Sequence, residues 1–314
     1  MAQEASFQSQ EDTPSRTHEN GSSQTESGLF NLEQIKSRPK FSEQDVFILN
    51  TLSYGVYSPS REAAEEVAYY LDGFCPPLEE QEAANNWLWN IWDILLDVAR
   101  SPDTTAEIQE RLISILQALQ RCAKGETKVY GSEARVWKDL PYLFECLDPC
   151  FNDATLYIDE EGRQFTPKSA QRWLNTTAFA ARIMGAGLAA SAYGEAMRAI
   201  SLALEEEEQS TIPGIADCRM QIACLWITHA AKPLLTWAQE NVGYIDNGAQ
   251  YIEAGPLYRG PETMCLQRWG FWIERFEELG KEGSGLSAET REIALTAAEA
   301  MRTIEVRAGR TLSE

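Results

Sequence analysis

Residues 79–100 read EEQEAANNWLWNIWDILLDVAR, and this stretch decides the fold class. Its apolar residues recur at steps of four and three, which is the spacing of one face of an α-helix. The stripe consists of Ala84, Leu88, Ile91, Leu95 and Val98, and Trp87 and Trp92 widen it. The stretch therefore predicts a long helix with one wide buried face.

The same helical period continues on both sides of this stretch, and no series of alternating strands accompanies it. Turn and capping residues divide the pattern into segments. We expect helices near 42–53, 60–73, 79–100, 103–125, 139–147, 167–208, 215–241, 262–279 and 288–306, with a break at 185–194, a kink at Pro233 and a short extended segment at 155–158. The prediction is an all-α fold, an irregular multi-helix bundle of roughly nine to eleven helices.

The two ends of the chain differ from this helical body. Residues 1–40 are rich in Gln, Ser, Thr, Glu and Asn and nearly empty of large apolar side chains before Leu29. Such a segment cannot bury enough apolar surface to offset its chain entropy. We therefore expect a disordered N-terminal tail over 1–40, a single all-helical domain over 41–308 and a C-terminal tail over 309–314.

The charge balance restricts the partners of the protein. The chain has 48 acidic and 27 basic residues, a net charge of −21. Such an acidic body repels phosphate backbones and anionic lipids, so we expect neither a nucleic acid nor a membrane as partner.

The N-terminus and the cysteines indicate the compartment. The opening Met1-Ala2-Gln3-Glu4 lacks the basic and apolar regions of a secretory signal. The seven cysteines are odd in number, scattered and mostly set in apolar helical pattern, which is typical of reduced cysteines. We therefore expect an intracellular protein, either cytoplasmic or nuclear.

Common enzyme signatures are missing from the sequence. It contains no Gly-rich phosphate loop, no HExxH and no GxSxG. His18 lies in the predicted tail, which leaves His229 as the histidine available to a folded site. The catalytic residues therefore remain unknown, and we predict neither a cofactor nor a metal.

Two groups of cysteine and histidine are weak candidates for a metal or redox site. His229 follows Cys218 and Cys224 on one predicted helix, but offsets of five and eleven do not bring the three residues to one face. A core histidine is the favoured alternative. Cys146 and Cys150 lie four apart and suit a redox pair or half a metal site, although the proline between them favours two isolated cysteines.

Asp93 and Asp97 lie one helical turn apart beside Trp89 and Trp92. Their spacing invites comparison with the aspartates that hold magnesium in helical terpene cyclases, but the second motif of those enzymes is missing. Because the buried stripe of this helix runs along other positions, we expect both aspartates at its solvated edge.

Small residues crowd positions 178–203, which favours close helix packing. The alternative is a helix that lines a cavity with an aromatic far wall, formed by Tyr193, Trp226 or Trp237, for a hydrophobic small molecule. The following acidic run, 205–208, predicts a solvated helix end because negative charge is unfavourable there.

The richest segment is Gly255-Pro256-Leu257 followed by LQRWGFWIERF at 266–276. The pattern predicts a buried stripe of Cys265, Trp269, Trp272, Phe276 and Leu279. We expect Arg268 and Arg275 to lie over the rim of this stripe and to pair with carboxylates.

This segment resembles the C-terminal signature of an all-helical family that is found mainly in filamentous fungi and is known only as a domain of unknown function. The signature residues, which we expect to be structural, are Leu266, Arg268, Trp269, Phe271, Trp272, Arg275 and Phe276. The resemblance implies a fungal intracellular setting and a shared fold, but no activity.

Two functional hypotheses follow. The first is a non-catalytic intracellular protein that acts by binding an unknown protein partner. The alternative is an accessory enzyme or a hydrophobic small-molecule-binding protein of fungal secondary metabolism. A deep pocket with convergent polar groups would distinguish the second hypothesis from the first.

Overall fold

A computed structural model of the chain describes residues 41–311, apart from 59, 123, 148–150, 152–164, 189–191, 208–209 and 242–253. Within this part, the chain forms ten helices and one small hairpin. They are α1 (Glu43–Tyr57), α2 (Arg61–Gly73), α3 (Gln81–Arg100), α4 (Ala106–Arg121), β1 (Glu126–Val129), β2 (Ser132–Arg135), α5 (Leu143–Leu147), α6 (Pro167–Gly185), α7 (Tyr193–Leu204), α8 (Ile215–Glu240), α9 (Leu266–Leu279) and α10 (Ala288–Thr311). The all-α prediction is confirmed. The predicted tail 1–40 and the extended segment 155–158 lie outside the described residues.

Side-chain caps explain where several helices begin. Ser42 and Asp45 form a capping box at α1, and the hydroxyl of Ser60 accepts from the backbone of Ala63 at α2. Thr166 caps α6 ahead of a proline at its first position. These caps satisfy backbone N–H groups that have no partner inside a helix, so the starts are encoded locally.

The buried stripe of α3 lies in a core that runs through the described helices. Trp92 is fully buried, and its indole Nε1 donates to the carbonyl of Pro141 at 2.6 Å. Helices α1 and α4 contact α3, and α2 packs on α1 and α4, whereas α6 contacts both α3 and α8. Helix α8 further contacts α7, α9 and α10, so α3 and α6 connect the N-terminal helices to the C-terminal ones.

Helices α6 and α8 approach each other closely at a kink. Pro233 has no N–H to donate to the carbonyl of His229, and the helical dihedrals break at Ala230 (φ −129°, ψ 15°). A Cβ on Gly185 would stand only 1.8 Å from that His229 oxygen. The kink and the break after Gly185 are both confirmed, and glycine is required where the two backbones meet.

The hairpin is a feature that the sequence analysis missed. Strands β1 and β2 pair antiparallel through a two-residue turn of Tyr130 and Gly131. Both turn residues have positive φ, 50° and 86°, as a type I′ turn requires. Four-residue strands carry too little alternation to be recognised, and Tyr-Gly is a weaker turn signal than Asn-Gly.

Candidate functional site

The signature helix α9 is buried along its aromatic stripe. Trp269, Trp272 and Phe276 are each 0% exposed, which confirms their prediction as core residues. Arg268 is also 0% exposed, so its predicted place at the rim is wrong. Arg275 keeps 18% of its side chain exposed and pairs with Glu278, as expected for a rim arginine.

A carboxylate on α7's C-cap accompanies Arg268 into the core. The Nε and Nη2 of Arg268 donate to the two carboxylate oxygens of Glu205, each at 2.7 Å. The same Nη2 also donates to the hydroxyl of Ser201 at 2.8 Å. Glu205 is itself 0% exposed, so the predicted solvated end at this position is wrong. Burial is possible because a bidentate bond compensates the desolvation of both charges. The next two residues, 206 and 207, are exposed as expected.

Glu205 also holds the loop that follows residue 253. Its Oε1 accepts from the indole of Trp272 at 2.7 Å, and its Oε2 accepts from the backbone N–H of Gly255 at 2.9 Å. The carbonyl of Glu205 accepts from the backbone of Leu257 at 2.9 Å. A Cβ on Gly255 would lie 2.6 Å from the Glu205 backbone oxygen, so only glycine fits. We call Ser201, Glu205, Gly255, Arg268 and Trp272 the Glu205 cluster; it joins α7, α9 and the loop.

Aromatic rings close the cluster from solvent. The guanidinium carbon of Arg268 lies 5.5 Å from the ring centroid of Tyr258 and 5.8 Å from that of Trp272. Burial and a hydrogen bond to Cys265 raise the pKa of Tyr258. Because its charges pair with each other and are fully buried, the Glu205 cluster positions the three elements and does not present a reactive group.

A half-open groove of about 470 Å³ lies between the elements that the Glu205 cluster joins. Its walls come from the end of α7, the start of α8, the 254–258 loop, the second half of α9 and the loop before α10. They consist mainly of aliphatic side chains: Leu202, Ala203, Ala216, Met220, Leu257, Leu279 and Leu286. We call this space the α7 groove, and its size falls within the range of small-molecule sites.

Charged side chains stand at the walls of the α7 groove. Arg219 and Arg275 come from two different helices, and Glu206 and Glu207 occupy the exposed end of α7. Arg275 is held in place because its Nε donates to the carbonyl of Leu204 at 3.0 Å and its Nη1 to Glu278. No hydrogen bond of its Nη2 is found within the described part of the chain.

The metal cluster that was the weaker alternative for His229 does not assemble among the described residues. Burial and the nearby Arg182 lower the pKa of His229 to about 4, so it is neutral at physiological pH. Cys218 and Cys224 are buried and form no disulfide, and burial raises the pKa of Cys224 to about 12. Among the described residues, no three His, Cys, Asp or Glu side chains come close enough to hold a metal. Cys150, which would be the partner of Cys146 in the less favoured redox or metal pair, lies outside the described residues.

The two aspartates of α3 differ in their exposure to solvent. Asp93 is exposed, as predicted, whereas Asp97 is 9% exposed, so its prediction at the solvated edge is wrong. The Nε of Arg100 donates to Asp97 at 2.8 Å, and an Nη2 of Arg172 lies 3.7 Å from the same carboxylate. Two arginines therefore neutralise the Asp97 carboxylate, as a bound magnesium ion would have done.

The alanine-rich helices pack closely, as expected, and do not enclose the aromatic cavity that was the alternative. Tyr193 and Trp237 stack edge to face, with ring centroids 4.3 Å apart. The space beside Trp226, Trp173 and Phe151 measures only about 20 Å³, which is room for about one water. The small residues serve close packing here, and the larger space lies at the aliphatic α7 groove.

Sequence reasoning missed Glu205 and the groove. An arginine inside an aromatic stripe signals a buried carboxylate partner, but the chain has many carboxylates and Glu205 lies 63 positions away.

None of the described helices combines the length and the apolar composition that crossing a bilayer requires.

Comparison with known proteins places the chain in one family. No curated protein and no solved structure matches it. The profile of a family described as "Protein of unknown function (DUF3632)" matches residues 92–276, more than half of the chain. The matched span includes the whole Glu205 cluster and most of the lining of the α7 groove. It ends at Phe276, and it does not include α1 and α2, which precede it. The chain therefore belongs to the DUF3632 family.

Proposed function

We propose that the protein is a non-catalytic binding protein whose α7 groove holds a small amphipathic molecule with an apolar chain and an anionic head group. The observation that carries the proposal is the groove itself, about 470 Å³ of largely aliphatic space with an anchored arginine at its wall. Burial of an apolar chain supplies the binding energy, and a charged hydrogen bond selects the head group.

The Glu205 cluster supports this proposal because it shapes the groove. Glu205 holds Leu257 through its backbone and α9 through Arg268, and both elements supply groove walls. A buried ion pair often adds less stability than apolar residues of the same volume would. Its value here lies in geometry, since bidentate bonds fix the distance between α7 and α9.

The lining favours binding over turnover. Its described residues include one hydroxyl, Ser284, and neither a histidine nor a cysteine. Nucleophilic catalysis needs a nucleophile beside a base, and the lining offers no such pair. The function we propose is therefore carriage or sensing of the ligand.

The cellular setting belongs to the same proposal. The six cysteines Cys75, Cys122, Cys146, Cys218, Cys224 and Cys265 in the described part of the chain form no disulfide, as in a reducing compartment. With the sequence resemblance, this favours a cytoplasmic or nuclear protein of a filamentous fungus. A lipid-like or polyketide-like acid of secondary metabolism has the chemistry that the groove suits.

Displacement of a fluorescent probe tests the proposal. Anilinonaphthalene sulfonate is bound to the full-length protein and displaced by decanoate or by its neutral counterpart 1-decanol. We expect Arg275→Gln to weaken decanoate about tenfold, equivalent to ~1.4 kcal/mol, and to leave decanol unchanged. Ala203→Phe fills the groove and should weaken both ligands.

A matched arginine provides the control. Arg302 is half-exposed on α10 and pairs with Glu277 outside the groove lining, so Arg302→Gln should leave both affinities unchanged. Circular dichroism and melting curves must show folded variants, because partly folded states also bind the probe. Equal loss of decanoate and decanol in Arg275→Gln, or no effect of Ala203→Phe, would refute the proposal.

A further inference from the structure

Exposed aromatic side chains concentrate on the first two helices. Tyr69 is 73% exposed, Phe74 59%, Tyr70 48% and Tyr54 47%. Elsewhere in the described chain, the comparably exposed aromatic residue is Tyr130 in the hairpin turn. We call Tyr54, Tyr69, Tyr70 and Phe74 the aromatic surface.

The aromatic surface is continuous across α1 and the end of α2. The hydroxyl of Tyr54 on α1 donates to Glu66 on α2 at 2.6 Å. Tyr70 lies one helical turn from both Glu66 and Phe74, so the three share one face. The ring of Phe74 packs on Phe47 of α1, with centroids 4.3 Å apart. The opposite faces of both helices are core, so this face is rigidly supported.

Such a surface is costly to leave in water. Contiguous exposed apolar area on a folded protein usually marks an interaction site, and tyrosines are enriched where interfaces carry most of their binding energy. The surface lies before residue 92, outside the span matched by the family profile. Its role is thus separable from the α7 groove.

The charges around the surface identify its occupant. Glu62, Glu65 and Glu66 stand exposed on α2, and Glu43 stands exposed at the start of α1. Arg61 of α2 and Arg121 of α4 both pair with Glu65, and Lys124 pairs with Asp72, so the carboxylates around the surface still outnumber the cations. Tyrosine faces and carboxylates together attract guanidinium and ammonium groups. A second copy of this chain, with its net charge of −21, would bring like charges together.

We propose that the aromatic surface docks a basic, arginine-bearing segment of a partner protein. The tyrosine rings stack on the guanidinium groups and on apolar residues between them, and the glutamates of α2 pair with the charges. This interaction is independent of ligand binding in the groove.

Selection from a random peptide library on the immobilised full-length protein tests the inference. The selected peptides are synthesised with a fluorescent label, and each arginine is replaced in turn by citrulline, its neutral isostere. We expect enrichment of arginine, a loss of at least tenfold in affinity on citrulline replacement, and weaker binding at higher salt.

Paired variants locate the binding site. Tyr69→Ser with Tyr70→Ser should reduce peptide affinity at least tenfold, whereas Tyr130→Ser, an equally exposed tyrosine elsewhere, should not. All these side chains are exposed, so the melting temperatures should stay alike. Equal binding to the double variant, or peptides without basic residues, would overturn the inference.

Two other occupants give distinct results. If residues 1–40 of the same chain cover the surface, their removal raises peptide affinity and also exposes Tyr69 to quenchers or modifying reagents. If a second copy covers it, sedimentation shows a dimer that the double tyrosine variant dissociates. Either result would overturn the assignment to a basic partner segment.

Discussion

Replacement of Glu205 by glutamine should remove much of the protein's free energy of unfolding. Glu205 Oε1 accepts from Arg268 Nε and Trp272 Nε1, and Oε2 accepts from Arg268 Nη2 and Gly255 N. An amide has only one oxygen, so either orientation of the glutamine turns its NH₂ group towards two donors. Arg268, 0% exposed, then keeps its buried charge but loses the counter-charge that Glu205 supplied.

The magnitude follows from this geometry. Removal of one partner from a buried ion pair costs about 3 to 5 kcal/mol. A domain is typically stable by about 5 to 15 kcal/mol, so the variant should retain a small margin or none. Urea denaturation followed by circular dichroism measures the loss. Glu206→Gln is the matched control because the neighbouring side chain is exposed, and it should change stability by less than about 0.5 kcal/mol.

A double replacement separates the cluster from an ordinary ion pair. In Glu205→Met with Arg268→Met, both charges disappear, which restores stability in many buried pairs. Here the indole of Trp272 and the N–H of Gly255 lose their acceptor, each at a cost of about 1 to 3 kcal/mol. We therefore expect the double variant to remain destabilised. A Glu205→Gln variant within 1 kcal/mol of the Glu206→Gln control would refute this reasoning.

Three further perturbations test other parts of the fold. Trp269→Ala should cost about 3 to 5 kcal/mol and yield largely insoluble protein; soluble protein with an unchanged urea midpoint would contradict its place in the core. Gly185→Ala should lower the melting temperature because its Cβ would meet the His229 carbonyl, whereas Gly73→Ala, with open space around it, should not; equal melting temperatures would disprove the close approach. The pKa of His229 is lowered to about 4, below its usual 6.5. Between these two pH values the imidazole is protonated in the unfolded chain and neutral in the folded chain. The free energy of unfolding should therefore fall as the pH drops from about 6.5 to 4. Histidine proton NMR checks this value, and a folded-state midpoint near 6.5 would contradict it.

Local physics allowed the helices to be predicted well. The stripe of α3, the caps at Ser42, Ser60 and Thr166, and the kink at Pro233 each depend on residues within a few positions of one another. Periodicity, capping and the missing N–H of proline act over one or two helical turns. The sequence by itself therefore determined the all-α class, the order of the helices and the burial of the signature tryptophans.

The candidate sites depended on pairs that are distant along the chain. Asp97 is one turn from Asp93, but only folding brought Arg172 towards it. Glu205 is the first of four successive glutamates, and only the position of Arg268 distinguishes it from the exposed ones. Whether a charged side chain is buried depends on a partner that compensates its desolvation, and the local sequence does not identify that partner.

The α7 groove and the aromatic surface differ in how far the sequence indicates them. Tyr69 and Tyr70 fall outside the apolar stripe of α2, so the sequence already contained the sign that they face outward. The α7 groove has walls from three helices and two loops, and no single segment carries its pattern. The sequence by itself determined which faces of the helices are apolar; only the tertiary structure decided which of those faces meet, because a cavity is the space that packed elements leave between them.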